Sequence, residues 1–229
     1  VYEVNWLYNA AKPFFVHTMQ SLNLTHLTQV KPLPVVDEAL FESIVNDLVM
    51  KGFSVQQNTL PTFITEALLT CLRNMSDKEF QKAGIGRASN FQHADTIRTD
   101  DISWITGSTV EGDIWLSWCD ALKNYINKAL FMGLFSFESH FACYNEGAFY
   151  KRHVDAFKGQ SNRVLSLVAY LNDQWLESDG GELVLYTSEE DKTGIKVRPE
   201  KGTFVIFLSE QFPHEVLTSK RQRHSVAGW

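Results

Sequence analysis

The chain has 229 residues, 44% apolar and 21% charged, with a formal net charge of −6. That composition suits a globular protein with a sizeable core, and it disfavours a generic nucleic-acid or anionic-membrane surface. No apolar run approaches the ~18 residues of a membrane span, and the opening residues show no charged–apolar–small leader pattern. Cys71, Cys119 and Cys143 have no C-x-x-C spacing, which argues against a disulfide framework or a cysteine-rich zinc site and for buried thiols in a reducing, cytoplasmic setting.

Residues 1–34 are irregular and read as an N-terminal extension, closing on the linker-like "VKPLPVVD" with a helix cap at Asp37. "EALFESIVNDLVMKG" then places Leu40, Ile44, Leu48 and Val49 at helical spacing, with Gly52 as the stop. "FSVQQN" predicts a strand. Pro61 and Thr62 open a second helix whose expected core face is Phe63, Leu68, Leu69 and Leu72. Residues 83–107 are rich in Gly, Ser and Asp and are a candidate lid, with "IRTDDISWI" as a strand inside it. A third helix is expected over 113–130, with Trp115, Trp118, Leu122, Tyr125 and Ile126 on one side.

After about residue 134 the period changes. "FSFESHFACY", "RVLSLVAYLN", "GELVLY", "GIKVRP", "TFVIFL" and "RHSVAGW" are short β-rich runs broken by Gly, Asn, Asp and Pro. Runs of this kind suggest a sandwich or barrel. Neither half can cover its apolar face alone, so the helices of 35–133 are expected to support the β-rich 134–229 within one domain spanning 1–229.

Within "FYKRHVDAF" stand His153 and Asp155, one residue apart. Chance alone supplies roughly 0.4 H-x-D tripeptides in a chain of this composition, so the pair carries little weight by itself. His214, in "FPHEVL", lies 59 residues beyond Asp155. Two imidazoles and one carboxylate on a common face would leave coordination positions open, the donor set of a non-haem Fe(II) oxygenase site. An α-keto acid bound there would need a fixed cation for its distal carboxylate. Arg223 follows nine residues after His214, and its same-face strand neighbours Ser225 and Ala227 are small enough to leave room for a bidentate pairing.

The ordered set Tyr144, Tyr150, His153, Asp155, Tyr170-Leu171-Asn172, Gly180-Gly181, His214-Glu215-Val216, Arg223 and Trp229 resembles the Fe(II)/2-oxoglutarate-dependent oxygenases, in their prolyl 4-hydroxylase branch. "IRTDDISWI" is similar to a segment of the oxygen-sensing prolyl hydroxylases and their bacterial relatives. The resemblance covers about residues 35–229 and implies a double-stranded β-helix (jelly-roll) core. It implies Fe(II) on His153, Asp155 and His214, and the distal carboxylate of 2-oxoglutarate on Arg223 with Tyr170. Tyr144 would hold the carboxylate nearer the iron, and Arg98 and Asp100 would belong to a closing loop. O2 as co-substrate and ascorbate as reductant come with the same resemblance, as does a protein substrate with a target proline. Where the oxygen-sensing enzymes carry a hydroxylated residue four places after the Arg, this chain has Ala227.

Other readings stay open from the residues alone. The same chemistry on a small molecule is one, and a non-catalytic jelly-roll binding protein is another. Arg98 and Asp100 can equally be an ion pair that holds a loop, Tyr150 has no assigned role, and "SDGGEL" can be a plain hairpin turn. His224 should point to the face opposite Arg223. His140 is expected at the surface or as a satisfied core histidine.

Overall fold

The computed structural model describes residues 37–84, 96–156 and 163–229. All of these residues belong to one compact unit, Pro34–Trp229. The expected extension at 1–34 and the middle of the expected lid, residues 85–95, lie outside the described residues.

The first helix among the described residues, α1 (Glu38–Lys51), starts where the Asp37 carboxylate accepts the Leu40 N–H at 3.1 Å. It stops at Gly52, whose φ of 76° lets its N–H reach back to the Leu48 carbonyl. Its buried stripe is Leu40, Phe41, Ile44, Val45 and Leu48. Val49, expected inward, is 64% exposed; at 3.6 residues per turn it sits about 110° from the centre of that stripe. α2 (Thr62–Asn74) buries Ile64, Thr65, Ala67 and Leu68. Phe63, also expected inward, lies on the far flank and is 44% exposed. α3 (Val110–Leu130) begins three residues before its expected start, because the Thr109 hydroxyl caps it by accepting the Gly112 N–H at 3.0 Å. Trp115, Trp118, Leu122 and Ile126 are buried as the period requires, with Tyr125 partly covered.

Among the described residues there are eleven strands in chain order: β1 (Phe53–Gln56), β2 (Gln81–Lys82), β3 (Asp101–Trp104), β4 (Ser139–Tyr144), β5 (Tyr150–His153), β6 (Leu165–Tyr170), β7 (Leu183–Leu185), β8 (Ile195–Val197), β9 (Phe204–Leu208), β10 (His214–Val216) and β11 (Arg223–Gly228). They form a major sheet in the order β1-β9-β6-β11-β4-β3-β2 and a minor sheet in the order β5-β10-β7-β8, with antiparallel pairings throughout. This is the expected jelly roll. β2, β5 and β10 were not anticipated, since "QK", "YKRH" and "HEV" offer no apolar alternation to detect.

Alternation along the major sheet sorts its two faces. Phe141, Leu167, Ala169, Phe204, Ile206 and Val226 pack against the helices. Ala142, Tyr144, Tyr170, Val205 and Phe207 face the minor sheet and meet Leu183, Leu185, Val197 and Val216. Tyr144 and Tyr170 therefore lie between the two sheets, where the site is built.

Candidate active site

β5 and β10 pair antiparallel so that His153 and His214 are directly opposite each other. The imidazole centroids are 4.2 Å apart. Asp155 follows two residues after His153, just past the end of β5, and its oxygens approach the Nε2 atoms of His153 and His214 at 3.6 Å each. One ligand atom from each of the three lies within 4.8 Å of the others, the one such group of three among the described residues.

The surrounding bonds set the donor atoms. His153 Nδ1 lies 2.8 Å from the Lys151 carbonyl, and His214 Nδ1 lies 3.0 Å from the Phe212 carbonyl. A carbonyl only accepts, so each Nδ1 carries the proton and each Nε2 lone pair faces Asp155, as a metal-ligating histidine requires. The Ser166 hydroxyl donates to Asp155 Oδ2 at 2.6 Å and is itself steadied by Ser209 Oγ at 2.8 Å. Burial alone would push the Asp155 carboxyl up, but the His214 and His153 imidazoles and the Ser166 hydroxyl outweigh it and hold it far below the usual carboxylate range. Burial takes the His214 imidazole down to about 4, against the upward pull of Asp155. At neutral pH the trio is thus a carboxylate with a neutral His214, ready for a divalent cation.

Arg223 starts β11, opposite Tyr144 on β4, while Ser225 stands opposite Tyr170 on β6. The guanidinium is fully interior, at 1% exposure. Its Nε donates to the Gly181 carbonyl at 2.8 Å and its Nη1 to Ser225 Oγ at 3.0 Å. Its Cζ lies 4.8 Å from the Tyr144 ring centre and 5.2 Å from that of Tyr170. Arg223 Nη2 and the Tyr170 hydroxyl are both buried and find no hydrogen-bond partner among the described residues. Burial pushes Tyr170 up to about 12 against the pull of Arg223, and it holds Tyr144 well above the ordinary phenol range. A buried cation with an unused N–H beside a neutral, unpaired hydroxyl is a poor way to stabilise a core and a fitting receptor for a carboxylate.

The geometry thus brings together His153, Asp155 and His214, and separately Arg223, Tyr170 and Tyr144. The sequence reading missed Ser166 altogether and the roles of Ser225, Gly181 and Tyr150. Ser166 orients Asp155, and Ser225 supplies Arg223 with a hydroxyl two places on, where the position four places on is Ala227. Gly181 offers a carbonyl to Arg223, so the Gly-Gly pair is more than a hairpin turn. Tyr150 stacks on His153 with centroids 3.6 Å apart. Each acts through a common residue type or a backbone atom, which leaves no composition signal.

Arg98 and Asp100 form a bidentate ion pair at 2.8 and 2.5 Å. His224 points away from Arg223 as expected, with Nε2 3.5 Å from Cys143 Sγ. His140 departs from expectation: it is 3% exposed, wedged between Trp104 and Trp229, and its Nδ1 has no partner among the described residues. Cys119 and Cys143 are buried thiols and Cys71 is half-buried.

Residues 139–229 match the family model described as the 2OG-Fe(II) oxygenase superfamily. A prolyl-4-hydroxylase of Pseudomonas putida is 38% identical, over 83% of this chain and 97% of that one, with a TM-score of 0.72. A prolyl hydroxylase of Trichoplax adhaerens, solved with a peptide fragment of the hypoxia inducible factor oxygen degradation domain, is 30% identical over 83% of this chain and 88% of that one, with a TM-score of 0.70. The viral collagen prolyl hydroxylase of Paramecium Bursaria Chlorella virus-1, at 16% identity, 79% and 96% coverage and a TM-score of 0.55, shares the fold. The chain therefore belongs to the 2OG-Fe(II) oxygenase superfamily, in its prolyl 4-hydroxylase branch, and is an oxygenase that uses Fe(II), 2-oxoglutarate and O2.

Proposed function

We propose that this chain hydroxylates a prolyl residue of a protein, with residues 34–229 as the catalytic unit. One atom of O2 enters the C–H bond as hydroxyl, and the other enters succinate as 2-oxoglutarate loses CO2. The observation that carries the reading is the convergence of His153, Asp155 and His214 in the same interior as a buried Arg223 with an unused N–H.

His153 Nε2, His214 Nε2 and an Asp155 oxygen would hold Fe(II), leaving its remaining positions open. When bound, the iron and 2-oxoglutarate supply the oxidising equivalents for breaking an unactivated C–H bond. Arg223 Nη2 and the Tyr170 hydroxyl would take the distal carboxylate of 2-oxoglutarate, and Tyr144 the one nearer the metal. The buried apolar side chains Val205 and Phe207, beside Tyr144 and Tyr170, would limit water at the reacting centre. Arg98 and Asp100 would tie the segment before β3 against the site.

A peptide substrate is supported by the likeness to an enzyme solved with one. It also fits the aromatic ring of Trp104 on the Tyr144 side of the major sheet, 45% exposed and backed by buried His140. The net charge of −6 does not suit a nucleic-acid substrate. No helix among the described residues is long and apolar enough to cross a membrane.

Purified protein with Fe(II) should convert 2-oxoglutarate to succinate, and proline-bearing peptides should gain the mass of one oxygen atom; His153→Ala should abolish both. Succinate without any gain on peptides would move the substrate to the small-molecule class. No turnover at all, unchanged by His153→Ala, would leave a binding protein.

A further inference from the structure

The two imidazoles of the triad are held very differently. His214 is buried and braced edge-on by Phe207, with ring centroids 4.8 Å apart. The His153 side chain is 17% exposed and stands at the end of a four-residue strand. One hydrogen bond, from Nδ1 to Lys151 O, limits its tilt. Its plane is set by Tyr150, whose ring lies 3.6 Å away at 15°. The Arg98 Cζ lies 4.4 Å over that same phenol. One ring face cannot hold both neighbours, so Tyr150 is sandwiched between guanidinium and imidazole. Arg98 in turn is clamped by Asp100, and the pair is nearly solvent-free, with side-chain exposures of 11% and 0%.

The backbone ties the same groups together. Arg98 bridges Tyr150, Lys151 N–H reaches the Ile97 carbonyl at 2.9 Å, and Thr99 N–H reaches the Phe149 carbonyl at 3.2 Å. Residues 97–99 thus cover the β5 edge that faces away from β10, and the chain then crosses to the major sheet as β3.

We propose that Tyr150, backed by the Arg98–Asp100 ion pair, is the positioning residue for the metal ligand His153, so that the segment preceding β3 sets how tightly the metal is held. The inference rests on reading His153 as an iron ligand. The stack fixes the imidazole plane before any metal arrives, which removes an ordering cost from binding. Asp100 has a second part. A guanidinium two rings from a dication would oppose its binding, and the adjacent carboxylate neutralises that charge.

Binding of Mn(II) alone, without 2-oxoglutarate, measured by titration calorimetry, reads this directly, and the Co(II) ligand-field spectrum reports the geometry. Tyr150→Phe keeps the ring and should bind Mn(II) within about twofold of wild type. Tyr150→Leu removes it and should weaken binding about tenfold, the size typical of losing a group that orients a ligand, with an altered Co(II) spectrum. Arg98→Met should alter the Co(II) spectrum in the same direction but by less, with its Mn(II) loss partly offset by the Asp100 charge it leaves unneutralised. The affinity of metal-saturated protein for 2-oxoglutarate should change much less in all three. Tyr150→Leu binding Mn(II) like wild type overturns the proposal. So does a Tyr150→Phe loss as large as that of Tyr150→Leu, since the hydroxyl would then be responsible. If Tyr150→Leu fails to fold, as shown by its thermal transition without metal, Arg98→Met decides: unchanged affinity and spectrum sink the proposal. Wild-type protein that binds no Mn(II) would instead overturn the reading of the metal site itself.

Discussion

Arg223 is a full positive charge at 1% exposure, satisfied at Nε and Nη1 but not at Nη2. An unmet buried donor of this kind costs folding stability, and a carboxylate placed against it recovers that cost through a charge-assisted bond. Truncating one partner of a buried charge pair typically loses about 2–5 kcal/mol. Arg223→Ala should therefore raise the KM for 2-oxoglutarate at least tenfold while leaving Mn(II) affinity near wild type, and steady-state kinetics beside metal titration checks both. Equal losses in the two would mean that Arg223 serves the fold rather than the co-substrate.

Strands and turns place these groups, and the turn at Gly180-Gly181 shows how narrowly. Gly181 has a φ of +71°, and a Cβ on it would lie 3.0 Å from Ser219 Oγ and 3.1 Å from Arg223 Cδ. Its carbonyl is also the acceptor that aims Arg223. Gly147 has a comparable φ of +86° but open space around it. Both Gly→Ala changes should cost about 1–3 kcal/mol of stability through backbone strain. Only Gly181→Ala should also weaken 2-oxoglutarate binding, seen as a higher KM that Gly147→Ala does not share. Glycine at this turn is thus required twice over, for backbone conformation and for room beside the guanidinium.

For the molecule as a whole, buried histidines set the response to acid. Burial lowers His140 to about 4, helped by the Arg98 cation, and lowers His214 to about 4 as well. In the unfolded chain both return to about 6.5. Above that pH neither state takes the extra proton and stability is full. As pH falls toward 4 the unfolded chain is protonated first, so the metal-free protein loses stability across this window. His140 alone should account for about 2 kcal/mol between pH 7 and pH 5. Below pH 4 the carboxylate of Asp155, held low in the fold, adds its own loss. Urea midpoints at the two pH values should fall less steeply for His140→Met than for wild type; parallel slopes would place the acid sensitivity elsewhere.

Helical periods and the change to β-rich runs after residue 134 were legible from the chain because each depends on residue type and local spacing, whereas the spaced set His153, Asp155, His214, Arg223 was legible through its resemblance to a known family. Val49 and Phe63 were misread since spacing marks an apolar stripe, not where a neighbour ends its cover. β5 and β10 were invisible, since short polar strands are made by the partners that pair with them. That pairing alone sets His153 opposite His214. Local alternation says which way a side chain points but not which strand, 59 residues away, will lie beside it. The unpaired Arg223 Nη2, the Gly181 carbonyl and the Arg98–Tyr150–His153 stack follow from the same cause: contacts between distant segments exist only once the two sheets have closed on each other.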